Sequence, residues 1–116
     1  MRHLGKLLIY WASMLLAVPV PTRAMDVAGY QKFSSEDFVK TFVFGVATGY
    51  SWANVVLVSK GQQPLYCQPP QVGMNAVMYQ GLLDGHLQKN QASANAKPER
   101  LVELFLLVAL QANFPC

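Results

Sequence analysis

The sequence predicts an all-α protein, a small helical bundle with three to four helices stapled by one disulfide. Three segments place apolar residues at the three- and four-residue spacing of helices, and no stretch alternates apolar and polar residues for long enough to form a strand. Hydrophobic residues make up 53% of the 116 residues and charged residues 13%, which is far from the composition of disordered chains. We therefore expect one compact domain after an N-terminal leader.

Residues 1–24 are typical of a secretory signal peptide, which leaves residues 25–116 as the helical domain. Arg2 and Lys6 give a positive start, Leu7–Val18 is an apolar stretch, and a small-residue cleavage box ends at Ala24. A membrane span needs about 20 apolar residues, and this stretch is shorter. We expect cleavage after Ala24 and export to the periplasm, without stable membrane insertion.

The charge balance becomes neutral once the leader is set aside. The whole chain has 9 Lys and Arg residues against 6 Asp and Glu residues, for a net charge of +3. Three of the basic residues lie in the leader, which has no acidic residue, so 9 − 3 = 6 basic residues balance the 6 acidic ones in the remainder. Nucleic-acid binding requires clustered Lys and Arg, and we therefore expect no nucleic-acid partner.

Cys67 and Cys116 are the two cysteines of the chain. In an exported protein an even count suggests a disulfide, and two cysteines allow a single intramolecular pairing. Zinc would need three or four ligands, and His86 is the one histidine after the leader, so we expect no metal or other cofactor. A catalytic Cys67/His86 pair stays open as an alternative, although a surface position or a carbonyl contact suits His86 better.

The first helix is predicted to begin at Ser34 or Ser35 and to stop at Lys60-Gly61. Either serine can cap the free N–H groups, and the carboxylates of Glu36 and Asp37 suit the positive end of the helix dipole.

Residues 41–59 of this helix carry no charge, and Gly45 and Gly49 have the spacing found where membrane helices pack closely. Asn54 would be costly in lipid. We expect a buried helix of a soluble bundle, with a membrane span as the alternative.

The remaining chain predicts two further helices separated by irregular segments. Prolines make residues 62–73 a linker, and residues 89–97 form a polar loop. The last helix is predicted to start at Pro98 and is apolar on almost every face, as in a helix at the centre of a bundle or shared with a second subunit. The middle helix is predicted from Met74 or Asn75 to about Gln88, with Val77, Met78, Leu82 and Leu83 facing inward and Asn75, Gln80 and Asp84 facing outward.

No motif for an enzyme is present: there is no phosphate-binding loop, metalloprotease helix, serine nucleophile motif or cysteine cluster. The neighbouring carboxylates Glu36/Asp37 and Glu99/Glu103 lie at predicted helix starts, where capping explains them better than acid–base catalysis. We therefore expect a binding protein with an apolar dimer-forming surface and an exposed amide-rich loop.

Residues 38–116 resemble the Rap/Tai family of immunity proteins in four segments: TFVFGVATGYSWAN, YCQPPQVGMNAV, YQGLLDGHL and LVELFLLVALQANFPC. The most specific part combines the Cys-x-Pro-Pro element at Cys67 with the C-terminal Ala-Leu-x-Ala-x-Phe-Pro-Cys that ends at Cys116. Members are small periplasmic all-α proteins, usually homodimers, and they neutralise peptidoglycan amidases delivered by type VI secretion. This chain differs from many members because it has no cysteine between the leader and Cys67 and has the longer turn QKNQASANAKPE after the second helix.

The resemblance implies a cognate amidase effector as the partner, homodimerisation, and the family's disulfide between the two cysteines. It also implies steric inhibition, in which a protruding loop enters the amidase groove and blocks its Cys/His centre. The loop at residues 89–97 is the expected contact and residues 62–70 are the second candidate surface. A periplasmic acid-stress chaperone and an envelope accessory protein are the alternative functions. The residues expected to bind the partner are Gln88, Lys89, Asn90, Gln91, Asn95 and Arg100.

Overall fold

The computed structural model describes residues 24–91 and 100–116. It contains four helices: α1 (Val27–Phe33), α2 (Asp37–Ser59), α3 (Ala76–Lys89) and α4 (Val102–Asn113). They make up 67% of this part of the chain, which has no strand, so the predicted all-α fold is confirmed. The predicted signal peptide, apart from Ala24, and most of the predicted loop lie outside the described residues.

The core forms where α2, α3 and α4 pack against one another, and α1 adds two residues to it. Each fully buried aliphatic or aromatic side chain contributes about 1.5–3 kcal/mol relative to an exposed one. The largest fully buried side chains come from all four helices: Val27, Tyr30, Val39, Val43, Leu83, Val102, Leu106 and Leu110.

Helix α1 was not among the predicted helices, and contacts far along the chain position it. The side chain of Asp26 caps it by accepting a hydrogen bond from the Gly29 N–H at 2.7 Å. Asp26 also pairs with Leu101 in an isolated antiparallel bridge. In this bridge the Val27 N–H donates to the Arg100 carbonyl at 2.9 Å.

The same bridge corrects the predicted start of the last helix. Helix α4 begins at Val102 rather than at Pro98, because the backbone on either side of Leu101 bonds to the segment before α1. The Val102 N–H donates to the Met25 carbonyl at 3.0 Å, so an N–H at the helix start is satisfied there. Pro98 itself lies outside the described residues.

The ends of α2 show one wrong prediction and one correct one. Neither serine caps it, because Ser34 ends α1 and the helix begins at Asp37 after Glu36, which makes no side-chain capping bond. At the other end Gly61 has φ +71°. The Gln62 N–H donates to the Leu57 carbonyl at 2.9 Å, which is the hydrogen bond of a glycine-terminated helix and confirms the predicted stop.

The expectation that α2 is a buried helix is wrong for the described residues. Three of its side chains are buried, Val39, Val43 and Ala47, and 11% of its most apolar 18-residue window is enclosed. The exposed side chains include Trp52, which is 66% exposed. Helices α3 and α4 cover one face of α2, and no described residue covers the opposite face.

Helix α3 begins and ends within one residue of the predicted bounds. It begins after Asn75, whose side chain accepts from the Met78 N–H at 2.9 Å. The predicted inward position of Leu83 and outward positions of Asn75 and Asp84 are confirmed, whereas three other positions are wrong.

Val77 and Met78 are 68% and 43% exposed rather than inward, whereas Gln80 is buried at 8%. Gln80 faces inward because the end of α1 lies against this side of the helix. The Gln80 amide donates to the Ser34 carbonyl at 2.9 Å, so its burial leaves that donor satisfied.

The disulfide between Cys67 and Cys116 is present and confirms the predicted pairing. It joins the irregular segment after α2 to the end of α4, 49 positions later in the chain. The Cys67 N–H also donates to the Phe114 carbonyl at 2.8 Å. Asn54 of α2 holds the same segment by accepting from the Leu65 N–H at 2.7 Å. The linker is therefore irregular but fixed at several points.

Candidate partner-binding surface

The sequence-predicted binding residues lie mostly at the end of α3, and all that are described are exposed. Gln88 and Lys89 lie in the last turn, and Gln91 is the second residue after the helix ends. Asn90 has a structural bond, since its side-chain amide donates to the His86 carbonyl at 2.9 Å. Asn95 lies outside the described residues, as does the rest of the loop after Gln91.

Arg100 is also exposed, but it belongs to a different part of the surface. The Arg100 carbonyl accepts a hydrogen bond from the Val27 N–H. Arg100 therefore lies beside the start of α1, whereas the other predicted binding residues that are described lie at the end of α3.

Gln88 and Gln91 border a cleft of about 390 Å³ between α1 and α3, which we call the Asp84 cleft. At the cleft the Tyr30 hydroxyl donates to Asp84 Oδ1 at 2.5 Å. Sequence reasoning missed this cleft because α1, which carries Tyr30, was not predicted. The lining residues are Tyr30, Gln31, Ser34, Asp84, Leu87, Gln88 and Gln91.

Burial and the neighbouring carboxylate keep Tyr30 protonated. Its side chain is 1% exposed, and this burial, followed by the hydrogen bond to Asp84, raises the pKa of Tyr30 well above its ordinary value. Gln80 opposes the shift to a smaller extent. The hydroxyl is therefore a fixed hydrogen-bond donor that orients the Asp84 carboxylate at the cleft.

The second candidate surface, residues 62–70, forms a groove of about 390 Å³ with α2, which we call the proline groove. Tyr66 lies in the wall of this groove. Burial and, to a lesser degree, the neighbouring Tyr79 raise the pKa of Tyr66, and Ser51 lowers it. Among the described residues the buried Tyr66 hydroxyl has no hydrogen-bond partner. The groove residues are Ser51, Asn54, Val55, Pro64, Tyr66, Cys67, Gln68, Pro69, Pro70 and Val72.

The alternative Cys67/His86 catalytic pair is excluded, because Cys67 has no thiol in the disulfide. His86 is half-buried, with its ring centroid 5.9 Å from that of Phe105. Burial and, to a lesser degree, Lys89 lower the pKa of His86. Among the described residues no three His, Cys, Asp or Glu side chains lie together as metal ligands would.

A third surface is the outer face of α2, formed by Phe38, Thr41, Gly45, Gly49, Trp52 and Val56, all of which are exposed. Phe38 and Trp52 are 57% and 66% exposed. A Cβ built on Gly45 or Gly49 would meet nothing within 4 Å, so another backbone has room to approach. Large exposed apolar surfaces of this kind usually mark contacts with a protein or a membrane.

Comparison of the chain with family models, with curated proteins and with solved structures finds no match.

Proposed function

We propose that this chain is a periplasmic immunity protein that binds a peptidoglycan amidase delivered by type VI secretion and blocks its active site. The observation that carries the proposal is the Cys67–Cys116 disulfide, with the hydrogen bond from the Cys67 N–H to the Phe114 carbonyl beside it. These contacts join the two segments in which the resemblance to the Rap/Tai immunity proteins is most specific. Sequence similarity found in two distant segments has more weight when those segments meet in one structural unit.

The inhibition we propose is steric. Gln88 and Gln91 are exposed at the point where the chain leaves α3, at the start of the segment that the sequence predicts to be a polar loop. Amide side chains donate and accept hydrogen bonds, so they can pair with the backbone that lines an enzyme groove. A loop held at both of its ends by helices would occupy such a groove and exclude the substrate.

We also propose that the protein is a homodimer and that the outer face of α2 is its interface. An aromatic side chain buries about 150–250 Å². The exposed fractions of Phe38 (57%) and Trp52 (66%) therefore represent roughly 400–600 Å² over two copies. A biological interface buries at least about 1,000 Å² in total. Val56, which is 48% exposed on the same face, and the backbone around Gly45 and Gly49 are available for the remainder. Gly45 and Gly49 would let the two helices approach closely across a two-fold axis.

The immunity proposal is tested by co-expressing the chain in the bacterial periplasm with the type VI amidase encoded beside it, and scoring lysis. We expect protection, and a complex on size exclusion with an amidase whose catalytic cysteine has been replaced. Alanine at Gln88, Gln91 and Asn95 together should weaken protection, whereas Gln71→Ala, at an exposed amide outside both candidate surfaces, should not. Unchanged lysis with no complex would refute the proposal for that amidase.

The dimer is tested separately by Trp52→Glu, with Val77→Glu on α3 as the matched control. The two side chains are 66% and 68% exposed, so neither change should unfold the protomer. Sedimentation equilibrium should show a monomer for the first variant and a dimer for the second. A wild-type protein that is monomeric at all concentrations would contradict the dimer proposal.

A second candidate function is an envelope accessory protein that inserts α2 into the membrane. The observation that favours it is the helix itself, because α2 is the one described helix that is long and apolar enough to cross a membrane. Its small enclosed fraction agrees with lipid contact as well as with a dimer. Carbonate extraction of membranes separates the two: an immunity dimer is released into the supernatant, whereas an inserted helix remains in the pellet.

A further inference from the structure

The Asp84 cleft combines one carboxylate with several neutral hydrogen-bonding groups. Its volume of about 390 Å³ lies within the usual range of ligand pockets, about 300–1,000 Å³. Three of its lining side chains are primary amides, Gln31, Gln88 and Gln91, and none of the lining residues is basic. Leu87, which is 6% exposed, supplies an apolar wall.

The Asp84 carboxylate is oriented but not neutralised by the described residues. A carboxylate has about four sites that accept hydrogen bonds, and Tyr30 uses one of them. The ring of Tyr30 is fixed in the core, so it holds the carboxylate in one position at the cleft. Among residues 24–91 and 100–116, the ion pair closer than 4.0 Å is Lys40–Asp37 at 3.8 Å, on α2. Lys89, although on the same helix as Asp84, does not reach it.

We propose that this cleft binds an arginine side chain of the partner protein, which deepens and rests on the immunity function proposed above. A guanidinium has five N–H donors in a rigid fork, which suits a carboxylate flanked by amide carbonyls. Asp84 accepts from the fork, Gln88 and Gln91 accept from its remaining N–H groups, and Leu87 packs against the aliphatic stem. Gln88 and Gln91 line this cleft and are also among the residues expected to contact the amidase, so both contacts can form with one partner.

The test uses the oxidised mature protein and a probe that needs no partner. N-acetyl-arginine amide is titrated into ¹⁵N-labelled protein, and the backbone and side-chain amide signals of Gln88 and Gln91 are followed by NMR. We expect saturable shifts with a Kd of about 1–10 mM, the weak end of the affinity scale. The citrulline analogue, which has the same shape but no charge, should bind about tenfold more weakly or not at all.

Variants make the assignment specific. Asp84→Asn should weaken arginine binding about tenfold or more, whereas Asp37→Asn, which removes an exposed carboxylate on α2, should leave it unchanged. Equal shifts with citrulline, or binding that Asp84→Asn does not alter, would overturn the proposal.

Failure of this inference is distinguishable from failure of the immunity function. If the amidase is neutralised equally well by the wild-type protein and by Asp84→Asn, the immunity function stands and the cleft has no part in it. If arginine binds as expected but no amidase is neutralised, the cleft does bind a guanidinium group, and the proposal that the partner is an amidase is refuted.

Discussion

Replacing both cysteines by serine should remove a large share of the stability of this small domain. The disulfide closes a loop with a sequence separation of 49. On the loop-entropy relation, freeing a loop of this size gives the unfolded chain about 4 kcal/mol of additional conformational freedom. A domain of this length is stable by about 5–14 kcal/mol in total. The Cys67→Ser/Cys116→Ser variant should therefore fold, but with between a third and most of its stability lost.

The structure indicates where the loss is largest. Without the disulfide, the segment around Cys67 is held by the bond to the Phe114 carbonyl and by the Gln111 side-chain amide, which donates to the Leu65 carbonyl at 3.2 Å. Asn54 adds its two bonds from α2. Hydrogen exchange at the Cys67 N–H should therefore accelerate more than exchange in the middle of α3, where the helix has its own backbone bonds.

Urea unfolding followed by far-UV circular dichroism measures the global effect. With m between about 1 and 3 kcal/mol per molar urea, a loss of 4 kcal/mol lowers the midpoint by about 1.3–4 M. The oxidised wild type should lose a comparable amount on reduction, and the double serine variant should not respond to reductant. A loss below about 1 kcal/mol with an unchanged m would refute the view that the disulfide acts by restricting the unfolded chain.

Four further changes test the described packing and electrostatics. Leu83→Ala, at a side chain that is 0% exposed, should cost about 2–5 kcal/mol in the same urea assay. Gln80→Ala should cost about 1–3 kcal/mol because the partly buried Ser34 carbonyl loses its donor. Gly81→Ala should raise stability by about 0.5–1 kcal/mol, since a Cβ there meets nothing within 4 Å and the helix favours alanine. The lowered pKa of His86 means that the fold favours the neutral ring, so its contribution is present above the unfolded pKa of about 6.5 and is lost as the pH falls below it. The urea midpoint should therefore drop between pH 7.0 and 5.5, and His86→Gln should reduce that drop.

The features that were predictable from the sequence are those that local chemistry determines. Gly61 stops α2 because it takes a left-handed conformation, and Asn75 starts α3 because its side chain caps the helix. The disulfide was predictable because a chain with two cysteines allows one intramolecular pairing. Each of these signals is contained in a few neighbouring residues or in a simple count.

The features that were missed depend on pairing between distant segments. The residues around Asp26 carry no local pattern that predicts its pairing with Leu101. That pairing positions α1, and α4 begins only after it, at Val102. The outward prediction for Gln80 was wrong for the same reason, since its amide bonds to the Ser34 carbonyl at the end of α1. In the candidate site, Gln88 and Gln91 were proposed from the amide-rich composition of their segment, whereas Tyr30 could not be placed without α1.

The outer face of α2 is exposed because α2 is much longer than the helices that pack on its other side. At 1.5 Å per residue, the 23 residues of α2 extend about 35 Å, whereas the 12 residues of α4 extend about 18 Å. Both shorter helices pack on one side of α2, so among residues 24–91 and 100–116 nothing covers the apolar residues on its other side, and a second molecule or lipid is the cover we test. One change distinguishes these outcomes: if a second copy covers this face, Gly45→Leu should separate the dimer by blocking close approach. If lipid covers it, the same change adds apolar surface and should leave membrane retention intact or increased.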